Sequence, residues 1–365
     1  MTSTDPRRDY SEKIVMEPAD HAEIVRTIDL HSDVLMTWDY RRSRPALVKL
    51  YEKAKTSQWN ATTDLPWDTE VDLERMAPEM VASAGRFQML QSGDESPVAH
   101  WGEAEWNRFI VEMQAWTMSQ FLHGEQGALV CTGLITSMVP WIDAKYYAAT
   151  QVMDEARHVE VFARYIEEKL GGAYPINPQL GGLLNDIITD GRWDITYLGM
   201  QIMVEGLALA AFGFLHMLTT EPLPKKLLRY VMSDEARHVA FGVLSLKEFY
   251  AGLTQDEIRS RQEFAFEAAL LLRNRFFAQD VWEKLGADPK KIVAFMQANE
   301  DPGAEMFQQM LFSKIVPNCK KLDLLDAGDG WLRQGFTDIG IIQFEDWTDT
   351  SEEYAELDAV AADRA

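Results

Sequence analysis

Two copies of the pentapeptide DEARH carry the clearest chemical signal in this sequence. Each copy places a glutamate three residues before a histidine, and the copies lie 80 residues apart: Glu155 with His158, and Glu235 with His238. On a helix, residues three apart lie on the same face, so each pair can direct a carboxylate and an imidazole to one point. Both groups are metal ligands. A single Glu-x-x-His arises by chance in a chain of this composition, whereas two within identical pentapeptides indicate a shared chemical role.

Two further glutamates, Glu125 and Glu205, stand 30 residues before Glu155 and Glu235. Both interrupt apolar stretches, FLHGEQGALV and QIMVEGLALA, where an unpaired charge would be costly. Each alone would be interpreted as half of a buried salt bridge or as an exposed side chain. The shared 80-residue offset, however, indicates a duplicated helical hairpin. In bundles that bind two metal ions through carboxylates, two helices carry Glu-x-x-His and the other two carry one glutamate each.

Four long helices must position these residues. Segments rich in Ala, Leu, Met, Glu and Gln are separated by glycine and proline, which predicts helices over about 103–138, 140–170, 194–219 and 223–250. The two hairpins turn near 138–141 and 219–222, about 13 to 17 residues from each glutamate. With a rise of about 1.5 Å per residue, the two glutamates of each hairpin lie at the same height. The four carboxylates and two imidazoles should therefore meet in the middle of one bundle.

Charge indicates what these side chains bind. Four clustered carboxylates would be costly in an apolar interior, and two divalent cations would neutralise them. A set of carboxylates and imidazoles without a thiolate suits iron or manganese and differs from structural zinc sites. We expect two iron ions per chain, with manganese at one or both positions as the alternative. Asp154 and Asp234, one residue before the glutamates, are expected to accept a hydrogen bond from the histidine of the other hairpin.

The remainder of the chain is also expected to be helical. One or two helices are predicted over 20–57, before an irregular stretch at 58–68, and further helices over 254–286, 288–300 and 302–316. The acidic end of the chain, 322–365, is predicted to wrap the surface or to be partly flexible. No segment alternates as a strand would, so the predicted fold class is all-α. The expected divisions are an N-terminal helical extension at 1–102, the bundle at 103–252, C-terminal helices at 253–318 and an acidic tail at 319–365.

These motifs resemble those of the ferritin-like, carboxylate-bridged di-iron oxygenases and oxidases, over Glu103 to about Tyr250. The resemblance implies a ferritin-like four-helix bundle with additional N- and C-terminal helices. DEARH in particular is similar to the motif of the hydroxylase subunits of bacterial multicomponent monooxygenases, in which the aspartate and arginine are partners of the ligands. The corresponding residues here are Asp154, Arg157, Asp234 and Arg237.

The same resemblance implies which residues bind which metal ion. Glu125, Glu155 and His158 would bind one iron. Glu205, Glu235 and His238 would bind the other, and Glu155 and Glu235 would bridge the two ions.

The sequence differs in three respects from particular subfamilies of these enzymes, which narrows the choice among them. Leu209 stands where the monooxygenase hydroxylases usually have a threonine, and Gln151 and Val231 stand where arylamine N-oxygenases could have an extra histidine ligand. Phe162 occupies the position of the radical tyrosine in the small subunit of ribonucleotide reductase. The differences favour an enzyme that directs its oxidising power to a bound substrate.

We therefore predict an O2-activating non-haem di-iron oxygenase of the hydroxylase or monooxygenase type, acting on a small, largely apolar organic substrate. Apolar residues near the ligands are candidates for a substrate pocket, although bundle core is their first interpretation: Phe121, Phe162, Ile202, Leu209 and Phe212. An external electron donor, a ferredoxin or a reductase, is implied because the chain has no flavin fingerprint and no iron–sulfur cysteines. The alternatives are a ferroxidase or radical-generating subunit similar to the small subunit of ribonucleotide reductase, and a non-catalytic iron-binding ferritin-like protein.

Composition limits the partners. The chain has 365 residues, with 35 Lys and Arg against 58 Asp and Glu, so its net charge is −23. This charge argues against nucleic acid and anionic membranes as partners. The longest stretch without a charged residue, 126–142, contains Pro140 and is too short for a typical membrane span. Two cysteines, Cys131 and Cys319, and the absence of a secretory signal lead us to expect a cytoplasmic protein, and we expect a homodimer.

Overall fold

The computed structural model describes residues 26–73, 89–91, 93–299 and 310–347. Within these ranges the regular structure is helical and no strand is present, which confirms the predicted fold class. In chain order the first helices are α1 (Pro45–Thr56), α2 (Glu103–Met138), α3 (Ile142–Tyr165), α4 (Pro178–Thr189), α5 (Trp193–Leu218) and α6 (Pro222–Tyr250). They are followed by α7 (Gln255–Asn274), α8 (Gln279–Lys284), α9 (Pro289–Ala298), α10 (Ile315–Lys321) and α11 (Trp331–Asp338).

The bundle consists of two antiparallel helix pairs. Helix α2 packs along α3, α5 packs along α6, and the pairs contact each other through α3 with α6 and α2 with α5. The observed bundle helices begin and end within two residues of the predicted ones. The last five residues of the second predicted helix, Ile166–Leu170, form a π-helix that continues α3. Pro140 lies in the first turn between helices, and Pro222 begins α6, because proline cannot donate the hydrogen bond that a helix interior needs.

Helix α5 is the central apolar helix. By length and composition it could span a membrane, but 83% of its most apolar 18-residue window is buried inside the protein. A helix that is hydrophobic on all sides belongs in the core of a large bundle, and α5 is enclosed by α2, α4, α6 and α7.

The predicted helices over 20–57 differ from the structure. Residues 20–25 lie outside the described part of the chain, residues 26–44 have no regular secondary structure, and only α1 is helical. The segment before α1 instead hydrogen-bonds to the turn between α2 and α3 and to the start of α3. Thr37 Oγ1 donates to Pro140 O at 2.7 Å, and Arg42 Nε donates to Asp143 Oδ1 at 2.5 Å. Pro45 then begins α1 and disfavours a helix at the residue before it.

The C-terminal helices also differ in their breaks. The predicted helix over 254–286 is divided after Asn274 by a 3-10 turn, Arg275–Phe277, and by Ala278 in the left-handed region with φ 47°. Most of the predicted 302–316 helix lies outside the described residues, and α9 corresponds to the segment predicted over 288–300.

Part of the predicted acidic tail is a packed element. Residues 322–347 include α11 and bury apolar side chains such as Leu324, Leu332 and Phe336, with Phe336 fully inaccessible to solvent. Residues 348–365 lie outside the described part of the chain.

Candidate metal centre

The two histidines of the DEARH motifs both direct their Nδ1 atoms towards the carboxylates of Glu155 and Glu235. His158 Nδ1 lies 3.5 Å from Glu155 Oε2 and 3.0 Å from Glu235 Oε1. His238 Nδ1 lies 3.1 Å from Glu155 Oε1 and 3.4 Å from Glu235 Oε2. Each of the two glutamates therefore turns one carboxylate oxygen towards each histidine. This is the arrangement that two carboxylates need in order to bridge a pair of metal ions, each held by one imidazole.

The other two glutamates complete the two halves of the site. Donor atoms of Glu125, Glu155, His158 and Glu235 lie within 4.8 Å of one another, and so do those of Glu155, Glu205 and His238. All six side chains are buried. The structure thus brings together every residue that the sequence analysis proposed as a ligand, and Glu155 is shared by both groups.

The opposite ring nitrogen of each histidine contacts an aspartate from the other hairpin. His158 Nε2 lies 3.1 Å from Asp234 Oδ2, and His238 Nε2 lies 3.3 Å from Asp154 Oδ2. A carboxylate at this position fixes the ring orientation and keeps the proton on Nε2, so that Nδ1 is the nitrogen that faces the site.

Two buried arginines balance the aspartates. Arg157 donates from NH2 to Asp154 Oδ1 at 2.6 Å and to Asp234 Oδ2 at 2.9 Å, while Arg237 donates to Asp234 Oδ1. The four residues form one network of two negative and two positive charges that ties α3 to α6. Such a network is stable in the interior only if its members are paired.

Two residues of the irregular stretch 58–68 also donate hydrogen bonds to this network, and neither was predicted from the sequence. Gln58 Nε2 donates to Asp154 Oδ1 at 3.0 Å, and Trp59 Nε1 donates to Asp234 Oδ2 at 2.7 Å. The Trp59 ring also lies against the Arg157 guanidinium, 4.6 Å from its central carbon. The tryptophans of this stretch were the available signal, but sequence spacing cannot show that residues 96 and 175 positions apart are neighbours.

Gln151 is a further residue that the sequence analysis did not place at the site. It lies one turn before Glu155, where the sequence comparison considered an extra histidine ligand, and it is fully buried. Its amide Nε2 donates to Glu155 Oε1 at 2.9 Å and to Glu205 Oε1 at 3.0 Å. The amide therefore joins the two halves of the ligand set.

The local winding of α5 positions Glu205. The seven residues before it, Leu198–Val204, form a π-helix, and the Glu205 N–H bonds to the Met200 carbonyl five residues earlier. Short π segments within α-helices are frequent at functional sites. Gly242 on α6 permits the close approach, because a Cβ atom there would lie 2.7 Å from Gln201 Cβ.

Burial and neighbouring charges shift the pKa values of the site's glutamates and histidines. Burial, together with repulsion from Glu235, raises the pKa of Glu125 to about 8, and burial with repulsion from Glu235 and Glu155 raises the pKa of Glu205 well above its usual value. Burial opposes charge on both histidines, yet the nearby carboxylates raise the pKa of each well above the usual imidazole value.

The residues fit a pair of divalent cations. Glu155 Oε2, Glu205 Oε2, both carboxylate oxygens of Glu235 and His238 Nδ1 are buried without a hydrogen-bond partner among the described residues. Buried polar atoms of this kind are costly unless they bind something. Four carboxylates and two imidazoles, with no thiolate nearby, suit iron or manganese.

A narrow cavity adjoins the ligand set. It has a volume of about 310 Å³ including the space at its mouth, and it reaches the side chains of Glu125, Glu205 and Glu235. Phe121 is the only residue among the five substrate-pocket candidates that lines it. Phe162 and Phe212 pack against Phe121 with ring centroids 6.0 and 4.6 Å away, and Ile202 and Leu209 are buried elsewhere in the bundle. These four are buried and do not line this cavity.

Arg275 also lines the cavity, and it is a charged lining residue that was not predicted from the sequence. It follows α7 in the segment LLLRNRFF, where a charge between apolar residues was the available signal. The break after α7 that turns it towards the bundle was not predicted.

No family model matches this chain, and no curated protein matches it. Among solved structures it is similar to point mutants of an R2-like ligand-binding oxidase with an anaerobically reconstituted Mn/Fe cofactor. One has 16% identity and a TM-score of 0.43, and another has 15% identity and a TM-score of 0.44. Each alignment covers 77% of this chain and 94% of the other. A mutant with an aerobically reconstituted cofactor has 15% identity and a TM-score of 0.40 over 84% of this chain and 94% of the other.

The fold is defined by this chain's own helices and side chains. These are two antiparallel helix pairs, each with one single glutamate and one Glu-x-x-His directed to a common centre. The protein is a four-helix bundle with additional helices and a carboxylate–histidine site suited to two metal ions.

Proposed function

We propose that the protein is a non-haem di-iron oxidoreductase that uses O2 to oxidise a small organic molecule, with hydroxylation as the type of reaction. The observation that carries the proposal is the placement of one oxygen of Glu155 and one of Glu235 at each histidine Nδ1. Glu155 and Glu235 would hold two ions, which could then act together on one molecule of O2. Manganese in one or both positions is compatible with the same ligands.

The chain's own residues define what happens around the ions. When bound, two ferrous ions would supply two electrons to O2 and accept two from a donor after each turnover. Glu125 and Glu205 each complete one half of the site and line the cavity, so a molecule in the cavity lies next to the ligands. Asp154 and Asp234 hold the histidine Nε2–H, and the apolar walls exclude water from the reacting groups.

The aromatic residue beyond His158 favours oxidation of a bound substrate over storage of a protein radical. The position one turn after His158 is Phe162, which is fully buried and lacks a phenol. The matching position after His238 is Gly242, where Gln201 leaves no room for a side chain. Neither position can hold a tyrosyl radical.

Electrons must come from outside the site. The two cysteines are free, and both are buried. Burial, with the repulsion from Glu205 and Glu155, raises the pKa of Cys131 far above its usual value, so its thiol stays protonated and unreactive. We therefore propose a ferredoxin or a reductase as the electron donor.

The test is to load the protein with ferrous iron under anaerobic conditions and then admit O2. We expect two irons per chain and rapid O2 consumption, and we expect the Glu155→Ala, Glu235→Ala double variant to bind far less than one iron. Glu160→Ala, an exposed glutamate on α3, is the matched control and should leave both unchanged. One tightly bound zinc that iron cannot displace would contradict the proposal. A long-lived tyrosyl radical at about one spin per chain, without any substrate, would replace it with a radical-generating function.

A further inference from the structure

The cavity beside the ligands combines an apolar wall with one cation. Its wall includes Phe121, Ala128, Val204 and Ala208, and Gly124 and Ala208 are partly exposed. Arg275 is the positively charged residue among the lining residues, and it lines the same cavity as the ligand glutamates.

Arg275 is buried, and no carboxylate of the described residues pairs with it. Only 5% of the residue is exposed, and among the described residues it makes no ion pair and no hydrogen bond, with Nε fully enclosed. Its one close polarisable neighbour is the Phe276 ring, 5.0 Å from the guanidinium carbon. Burial lowers the pKa of Arg275 to about 10, so the group still carries its charge near neutral pH. A buried charge without a partner is rare because it is costly.

The charges around the metal site leave Arg275 as an excess cation. Two bound divalent ions would neutralise the four glutamates, and Asp154 and Asp234 are paired with Arg157 and Arg237. The histidines are neutral when they bind metal. No glutamate of the site lies within ion-pair distance of Arg275 among the described contacts, so its charge is not used by the ligand set. A ligand with one negative charge would restore neutrality.

We propose that the cavity binds a small organic carboxylate, with the carboxylate group paired to Arg275 and the apolar part of the molecule directed along Phe121 and Val204 towards Glu125 and Glu205. This inference rests on the proposed function, which places two divalent cations at the site and makes the bound molecule the substrate. Guanidinium is well suited to the role because two of its N–H groups can donate in parallel to one carboxylate.

The first test compares acids with their uncharged amides. Benzoate and benzamide, and hexanoate and hexanamide, are titrated calorimetrically into the ferrous protein under anaerobic conditions. We expect each acid to bind about 10- to 100-fold more tightly than its amide, as for hydrogen bonds to a charged group. Equal affinity of acid and amide, or no binding of either acid, would overturn the proposal.

Variants identify the group that recognises the acid. In Arg275→Gln the preference for acid should disappear, and in Arg275→Lys it should be reduced but retained. The matched control is Arg273→Gln, which removes an equal charge from the same segment at a residue outside the cavity lining. If the preference survives Arg275→Gln, the carboxylate binds the metal ions directly and the proposal is wrong.

A stability measurement separates ligand recognition from a structural role. Replacement of the unpaired cation by an apolar side chain of similar length, Arg275→Met, should raise Tm of the ligand-free protein while removing the preference for acid. A drop in Tm with an unchanged preference would show that Arg275 supports the fold only. O2 consumption, measured separately without any acid, tests the proposed function, so Arg275-dependent binding in a protein that does not react with O2 would support this inference and contradict only that function.

Discussion

At the scale of single residues, the exchange of aspartates between hairpins is the most informative feature of the site. Each histidine is held by the aspartate of the other DEARH motif, so neither hairpin can orient its own histidine alone. The two aspartates are not equivalent. Asp234 accepts from Trp59, Arg157 and Arg237, whereas Asp154 accepts from Gln58 and Arg157, with Arg237 3.8 Å away. Although burial opposes ionisation of Asp234, Arg237 and its other partners hold its pKa far below the usual range.

This asymmetry predicts different outcomes for two matched substitutions. Asp154→Asn and Asp234→Asn should each weaken iron affinity by about 10- to 100-fold, because the histidine loses a charged partner. Asp234→Asn should also lower the free energy of unfolding by about 3–5 kcal/mol, since two buried arginines lose charge compensation. Competition with a chelator measures affinity, and urea unfolding measures stability. Equal stability loss in both variants, or wild-type iron affinity in either, would contradict the assigned roles.

At the scale of elements, the contact between α5 and α6 depends on a π segment and a glycine. Leu198–Val204 is wound wider than an α-helix directly before Glu205, and Gly242 allows α6 to approach this widened turn. The Cβ and Cγ atoms of Gln201 lie 2.7 and 3.6 Å from the position that a Cβ atom added at Gly242 would occupy. Because these are the Cβ and Cγ atoms near the backbone, they cannot move aside without moving α5.

Gly242→Ala should therefore destabilise the protein by about 1–3 kcal/mol and lower its iron content, since displacement of α5 moves Glu205. Gly133→Ala is the control, because Gly133 is an exposed position within α2 with nothing within 4 Å of an added Cβ. That control should be neutral or more stable by about 0.5–1 kcal/mol, since alanine is the better helix former. Thermal unfolding and iron analysis of both variants check this. Unchanged stability in Gly242→Ala would show that the helices separate freely here.

At the scale of the whole molecule, the centre of the bundle concentrates like charges. Burial and repulsion between carboxylates raise the pKa values of Glu125 and Glu205, and although burial opposes charge on both histidines, the nearby carboxylates raise their pKa values. Bound metal ions should stabilise the fold, because a ligand that binds only the folded state contributes about 2.7 kcal/mol at a free concentration 100 times its Kd.

Removal of iron by a chelator should lower Tm, and the loss should be larger at about pH 8.5 than at about pH 6. In the metal-free fold Glu125 and the histidines have pKa values above their unfolded values, so the folded state binds more protons and loses stability as the pH rises through this range. Metal ions replace those protons, so the loaded protein does not lose that contribution. Thermal unfolding of both forms at the two pH values measures the difference. A difference in Tm that shrinks as the pH rises would contradict this linkage.

The sequence by itself determined the four bundle helices and the set of six residues that meet at their centre. Helix period, proline positions and the repeated Glu-x-x-His are local properties, and equal arm lengths in each hairpin convert spacing into height along a helix. That is why Glu125 and Glu205, which carry no motif of their own, could be chosen from among many glutamates. The metal ions themselves, and the reaction they support, stay a prediction from that ligand set.

Only the tertiary structure decided which residues surround that centre. Trp59 reaches Asp234, and Arg275 reaches the cavity, through contacts that no spacing rule relates to the DEARH motifs. Gln151 lies one turn before Glu155, but its hydrogen bond to Glu205 joins different hairpins and could not be predicted from spacing. The non-helical path of 26–44 and the break after α7 also depend on hydrogen bonds and packing against the finished bundle, which override local helix preference. The physical reason is the same in each case. Periodicity along one chain segment encodes which face of a helix is buried. The residues that lie against that face depend on the shape of surfaces formed by distant segments.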